Sequence, residues 1–240
     1  MGQAGDVLAV APAKLTLSLR VTGVREDGYH VLDAEMVTLE LADELEFADG
    51  DGLEVIGASG LDVPASDDNL VRRALAAVGR TAHVRLTKRI PSGAGLGGGS
   101  ADAAAVLRWA GCADLDIAAS LGGDVPFCLV GGHARVTGIG ERVEPLAPLD
   151  RTFTLLTPPF GVETAAVYDA WDALGGPRVA GRNDLEPAAL VVEPRLLAYR
   201  DRLAEATGQT PVLAGSGSTW FVEGAFPGDD RVVTRTDRPT

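Results

Sequence analysis

Three places in this chain carry residues whose types and spacing could do chemistry. The densest is Pro91-Ser92-Gly93-Ala94-Gly95-Leu96-Gly97-Gly98-Gly99-Ser100, which runs straight into Ala101. Five glycines in the seven positions from Gly93 to Gly99 remove Cβ atoms, so backbone N–H groups can converge on one point. An Ala-rich helix is expected behind them over 101–110, with Ser100 as its N-cap and Gly111 closing it, and its N-terminal end adds positive potential. Such a loop binds phosphate. A flexible linker shares the composition but does not end in a capped helix. A P-loop needs a lysine after its last glycine, and here Gly98 is followed by Gly99 and Ser100. The bare pattern Gly93-x-Gly95-x-x-Gly98 also satisfies a dinucleotide fingerprint, with Asp114 or Asp116 near the ribose distance, but no second strand precedes those aspartates.

The other two places are single charges in apolar surroundings. Lys14 follows Ala11-Pro12-Ala13, where a lysine is costly to bury without a partner. Asp124 sits between Gly123 and Val125-Pro126. Taken alone, Lys14 suits a snorkelling edge-strand lysine, Asp124 a turn aspartate, and the pair Tyr29-His30 either a ring platform or ordinary strand residues.

The elements that must position these residues alternate between strand and helix signals with no internal repeat. Strands are expected at 7–10 and 15–21, at 35–47 and 53–56 as an antiparallel pair, and at 83–90, 128–130, 133–137 and 152–156. Helices are expected at 69–78, near 117–121, at 164–174 and at 194–206. With 240 residues and a soft boundary near Pro148, the pattern reads as a two-domain α+β protein, 1–148 and 149–240. Its net charge of −13 repels nucleic acid and anionic lipid, so neither is expected as a partner. An anionic ligand must therefore be held locally, by backbone dipoles, since Lys14 and Lys88 are the two lysines of the chain. Cys112 and Cys128 form no metal or disulfide pattern, and the start MGQAGDVLAV lacks the basic region and apolar core of a signal peptide, so a cytoplasmic protein is expected.

Together these pieces resemble the GHMP kinase superfamily of galacto-, homoserine, mevalonate and phosphomevalonate kinases. Its motifs are matched in order by Pro12-Ala13-Lys14-Leu15, by the run Pro91 to Ala101, and by Leu213-Ala214-Gly215-Ser216-Gly217-Ser218-Thr219. Asp27-Gly28-Tyr29-His30, Gly123-Asp124-Val125-Pro126 and Asn183-Asp184-Leu185-Glu186-Pro187 look most like the branch that phosphorylates cytidine diphosphate methylerythritol for isoprenoid precursors. The similarity runs from about residue 8 to residue 222.

The resemblance implies an N-terminal half like ribosomal protein S5 domain 2, a ferredoxin-like C-terminal half, a site between them, and a monomer or homodimer. It implies ATP and Mg²⁺, with Asp124 as general base on the 2-hydroxyl of the substrate and Lys14 orienting it. The run 91–101 would hold the ATP phosphates and Ser100 would lie near Mg²⁺. Tyr29 would stack on the cytosine, His30 would bond its edge, and Thr16, Thr164, Gly215 and Ser216 would face the rest of the substrate. Thr16 stands where many relatives carry asparagine, 111–116 is short, and relatives usually have a helix after Phe221. Mevalonate- or homoserine-like activity is the nearest alternative. A non-catalytic nucleotide-binding relative would be expected to lack Lys14 or Asp124, and both are present.

Overall fold

The computed structural model describes residues 7–57 and 65–237. The opening residues 1–6 of the start considered above therefore lie outside the described residues. The chain opens with a long antiparallel hairpin of β1 (Val7–Val24) and β2 (His30–Ala48). The two short strands expected around Lys14 are thus one, interrupted by a register shift between Pro12 and Lys14. Proline has no N–H for the ladder, so the pairing slips there, and the Lys14 N–H turns to the Leu96 carbonyl at 3.0 Å.

The expected antiparallel pair of 35–47 with 53–56 does not form. The segment β3 (Gly52–Gly57) leads through α1 (Leu70–Ala77) to β4 (His83–Lys88), and β4 takes the edge of β2 from Glu44 opposite Thr87 to Ala48 opposite His83. Val84 and Leu86 of β4 enter the core beside Leu45 and Phe47, whereas β3 pairs outside, parallel to β4. A helix between two strands returns the chain in the parallel sense, which a short turn cannot do.

The next helices are α2 (Gly98–Trp109), α3 (Leu115–Leu121) and α4 (Val125–Val130), followed by β5 (His133–Gly138) and β6 (Arg142–Pro145). The first sheet has the order β3-β4-β2-β5-β6, with β1 also on β2. Three local expectations are corrected. Ser100 is not the N-cap of α2: Gly97 occupies that place in the left-handed conformation and Ser100 lies in the first turn. The strand expected at 128–130 is helix α4, where Pro126 sits in the first turn and its missing N–H is no loss. Asp114 caps α3 through the Asp116 and Ile117 N–H groups, which removes it as a ribose partner.

The second sheet, of order β10-β7-β9-β8, is built from β7 (Thr152–Leu156), β8 (Val212–Leu213), β9 (Trp220–Glu223) and β10 (Val232–Arg235). Helices α5 (Thr164–Ala173), α6 (Glu186–Val192) and α7 (Leu196–Thr207) pack with it. After Phe221 the chain forms β10, an edge strand on β7, and not the helix that the resemblance implied there. Leu15, Leu17, Val37 and Leu39 of the first hairpin share one buried cluster with Phe153, Leu155 and Phe221 of the second sheet, so the two sheets are joined by core.

Candidate active site

Lys14 leaves β1 at the register shift, and its side chain is 5% exposed. Its Nζ lies 3.3 Å from Asp124 Oδ2 and donates to Thr16 Oγ1 at 3.2 Å. Asp124 arrives from the other side, at the end of the α3–α4 turn, and caps no helix N–H with its side chain. Its carboxylate is left for the lysine and for the cleft of about 830 Å³ that Lys14, Thr16 and Asp124 line. Thr16, where an amide contact was expected to be missing, steers the lysine with its hydroxyl.

The glycine loop explains its own composition. A Cβ on Gly97, whose φ is +69°, would stand 2.7 Å from Lys14 Cγ, so the bare backbone is what lets the lysine stem pass. A Cβ on Gly95 would stand 2.2 Å from the Ala214 carbonyl, so the loop lies directly against the turn at 215–218. Thr219 N–H donates to the Ala94 carbonyl at 3.1 Å across the same seam. The three motifs matched in order along the chain therefore meet around one lysine. Pro91, Ser92, Gly93, Ala94, Gly95, Gly97, Gly98, Gly99 and Ser100 line the cleft. The N–H groups of Gly98, Gly99 and Ser100 open α2, where no intrahelical acceptor reaches them. Leu96 and Ala101 do not line it: both side chains are buried, and the Ala101 N–H is spent on the Gly97 carbonyl at 2.8 Å.

Gly215 and Ser216 are held from behind by Asn183, a buried residue whose Nδ2 donates to the Leu213 carbonyl at 2.9 Å and the Gly215 carbonyl at 2.6 Å. Its Oδ1 accepts from the Leu185 N–H at 2.9 Å. Asn183→Ala strands these groups without partners. It is expected to lower stability by about 2–3 kcal/mol, read as a shift in urea midpoint, with a parallel fall in kcat as the turn loosens.

On the same cleft Thr164 opens α5 and its hydroxyl lies 2.9 Å from Ser216 Oγ. His30 stacks on Tyr168 with centroids 4.6 Å apart, and its Nε2 lies 2.9 Å from Asp172 Oδ1. Tyr29 is 60% exposed at the rim. Burial and the Asp124 carboxylate hold the Tyr168 phenol protonated, above its ordinary range. Tyr168 lines the cleft and was not singled out from sequence. Its position four residues after Thr164, on the same helical face, was the available signal.

Beneath the loop, buried Lys88 donates to Asp102 Oδ2 at 2.7 Å and, more closely, to Asp43 Oδ2. Asp43 Oδ1 also accepts from the Arg89 and Ile90 N–H groups, which fixes the turn from β4 into the loop. Burial, with Asp43 nearby and only partly offset by Lys88, pushes the Asp102 carboxyl up to about 7. A carboxyl raised in the folded state binds its proton more tightly there than in the unfolded chain. Its stabilising contribution is complete below about pH 4 and lost as pH rises through about 7. The urea midpoint of the native protein minus that of Asp102→Asn is therefore expected to fall between pH 4.5 and 7.5. A flat difference contradicts the assignment.

Comparisons with known proteins give the chain its family. The family model of the GHMP kinase N-terminal domain matches residues 69–132, the stretch that holds α1, the glycine loop and Asp124. A 4-diphosphocytidyl-2-C-methyl-D-erythritol kinase of Pelotomaculum thermopropionicum is 40% identical over 257 residues, covering 90% of this chain and 88% of the relative. The chain belongs to this kinase family. A crystal structure of a 4-(cytidine 5'-diphospho)-2C-methyl-D-erythritol kinase superposes with a TM-score of 0.75 at 32% identity, covering 97% of this chain and 100% of that one. Homoserine kinase from Cytophaga hutchinsonii shares the fold, with a TM-score of 0.59 at 19% identity over 99% of this chain and 96% of its own. The chain is thus a GHMP-fold kinase of the α+β class, and a kinase of the isoprenoid-precursor branch of that superfamily. No helix among the described residues is long and apolar enough to cross a membrane.

Proposed function

We propose that this protein transfers the γ-phosphoryl group of ATP to the 2-hydroxyl of 4-diphosphocytidyl-2-C-methyl-D-erythritol. The observation that carries the proposal is a single cleft lined by a backbone phosphate cradle, the Lys14–Asp124 pair and the His30–Tyr168 stack. In this reading Asp124 accepts the proton of the attacking hydroxyl as oxygen forms its bond to phosphorus and ADP leaves. Lys14 orients that carboxylate and faces the charge developing on the transferred group. The N–H groups of Gly98, Gly99 and Ser100 hold the ATP phosphates, a backbone solution in a chain whose lysines are both paired with aspartates.

No group of three His, Cys, Asp or Glu among the described residues could cage a metal. Ser100, whose hydroxyl stands on the cleft at the start of α2, suits Mg²⁺, which takes few protein ligands and completes its shell with phosphate oxygens and water. When bound, it would neutralise phosphate charge and polarise the transferred group. Tyr29, His30 and Tyr168 receive the cytosine, while Thr16, Thr164, Gly215 and Ser216 take the polar remainder of the substrate.

We assign 1–148 to the ATP-binding half and 149–240 to the C-terminal half, supported by the change of sheet between Pro145 and Thr152. A monomer or a homodimer belongs to the same reading. Two free cysteines suit a reducing, cytoplasmic setting. The test is ADP release with Mg²⁺-ATP and each of three acceptors. Release with the cytidine compound and not with mevalonate or homoserine is expected; the reverse would reassign the substrate.

A further inference from the structure

His30 is gripped from one face of α5. Tyr168 stacks on its ring at 4.6 Å and 29°, Trp171 meets it edge-on at 5.5 Å, and Asp172 Oδ1 lies 2.9 Å from Nε2. These three residues sit at i, i+3 and i+4 of the helix, the spacing that brings side chains onto one side. The His30 side chain is 10% exposed and lines the cleft, whereas Asp172 lies outside the cleft lining with half its side chain in solvent. Among the described residues Nδ1 of His30 makes no hydrogen bond.

An ionised carboxylate only accepts hydrogen bonds, so a neutral imidazole bonded to Asp172 must carry its proton on Nε2. The other nitrogen is then a bare acceptor. A pyrimidine with an amino group at its 4-position donates to such an atom. One with a carbonyl there sets lone pair against lone pair. We infer that Asp172 is a positioning residue that fixes His30 as the Nε2–H tautomer, and thereby makes the cleft select an amino-pyrimidine over an oxo-pyrimidine. The inference rests on the reading that His30 meets the base of the substrate. Asp172 touches no substrate; it acts through the imidazole.

The test uses the intact protein, without turnover. With ¹⁵N-labelled histidine, the three histidines of the chain are few enough to assign His30 by comparison with His30→Gln. At about pH 8, where free histidine is neutral, the native protein is expected to show the Nε2–H tautomer. Asp172→Ala is expected to give a tautomer mixture, and Asp172→Glu to restore the native pattern. In parallel, calorimetry with cytidine and uridine 5'-monophosphates is expected to show a preference for cytidine that falls roughly tenfold in Asp172→Ala and recovers in Asp172→Glu. The histidine spectrum also reports whether each variant is folded. An imidazolium or Nδ1–H form in the native protein overturns the proposal, as does an unchanged tautomer in Asp172→Ala. If His30→Gln weakens cytidine binding and Asp172→Ala leaves the ratio untouched, the role of Asp172 falls and that of His30 stands. If neither variant alters binding of the cytidine nucleotide, the placement of the base at His30 falls with it.

Discussion

Asp124→Asn is expected to lower kcat by roughly 10²–10⁴-fold while leaving the KM for ATP within a few-fold of native. The substitution removes the proton acceptor and keeps the shape. Folding is expected to survive, because the Asp124 side chain is 36% exposed and caps no helix, so the urea midpoint moves little. The asparagine oxygen still offers Lys14 a neutral acceptor, and Thr16 Oγ1 remains at 3.2 Å. Lys14→Met is expected to cost a similar factor. In the double variant the losses should not multiply, since the two side chains act as one unit across 3.3 Å. ADP release in the presence of saturating substrate measures this directly. An Asp124→Asn enzyme that keeps a tenth or more of native kcat would mean that the hydroxyl gives up its proton elsewhere.

The second large effect is structural in origin and is expected from one methyl group. Gly95→Ala places a Cβ 2.2 Å from the Ala214 carbonyl and 2.7 Å from that of Gly217, both backbone atoms in a tight turn, at a φ of +75°. Overpacking of this kind costs about 1–3 kcal/mol and the left-handed conformation about 1–2 kcal/mol more, so a loss near 3 kcal/mol is expected in urea unfolding. The turn carrying Gly215 and Ser216 can only yield by moving away from the loop. kcat/KM should therefore fall for ATP and the acceptor together. Gly99→Ala is the control, because its φ is not in the left-handed region and its new Cβ meets only the flexible end of Leu70 at 3.3 Å. Equal stability losses in the two variants would refute the seam between loop and turn.

Local chemistry was legible in the sequence where a residue has one job set by its neighbours. The helix expected at 69–78 is α1, with Asn69 as its N-cap and not its first residue, and β7 has the bounds of the expected 152–156. Partners distant in sequence were not. Periodicity makes 35–47 and 53–56 strands but does not say that β4 will come between them, since that depends on a helix returning the chain. The six-residue apolar run of α4 has no period to separate strand from helix, and the proline in its first turn was the cue that went unused. In the site, glycine spacing announced a cradle, whereas Lys14 and Asp124 read singly as a snorkelling lysine and a turn aspartate and were paired only by the family resemblance. Only the folded chain shows that Gly95 and Gly97 are glycines because other backbone and a lysine stem occupy the space. Asn183 was quoted as part of a motif, and its work, holding two carbonyls of the turn from 30 and 32 residues away, is invisible without the fold. Asp172 is likewise an ordinary helical aspartate until His30 is brought 142 residues to meet it.

The measurement that bears most directly on the central claim is ³¹P NMR of the product formed from Mg²⁺-ATP and 4-diphosphocytidyl-2-C-methyl-D-erythritol. A new phosphomonoester resonance coupled to the methylerythritol carbon skeleton, with the diphosphate resonances of the substrate retained and ADP formed in equal amount, is the predicted result. ATP bound in the cleft with no new phosphomonoester, or one formed on mevalonate or homoserine instead, would contradict it.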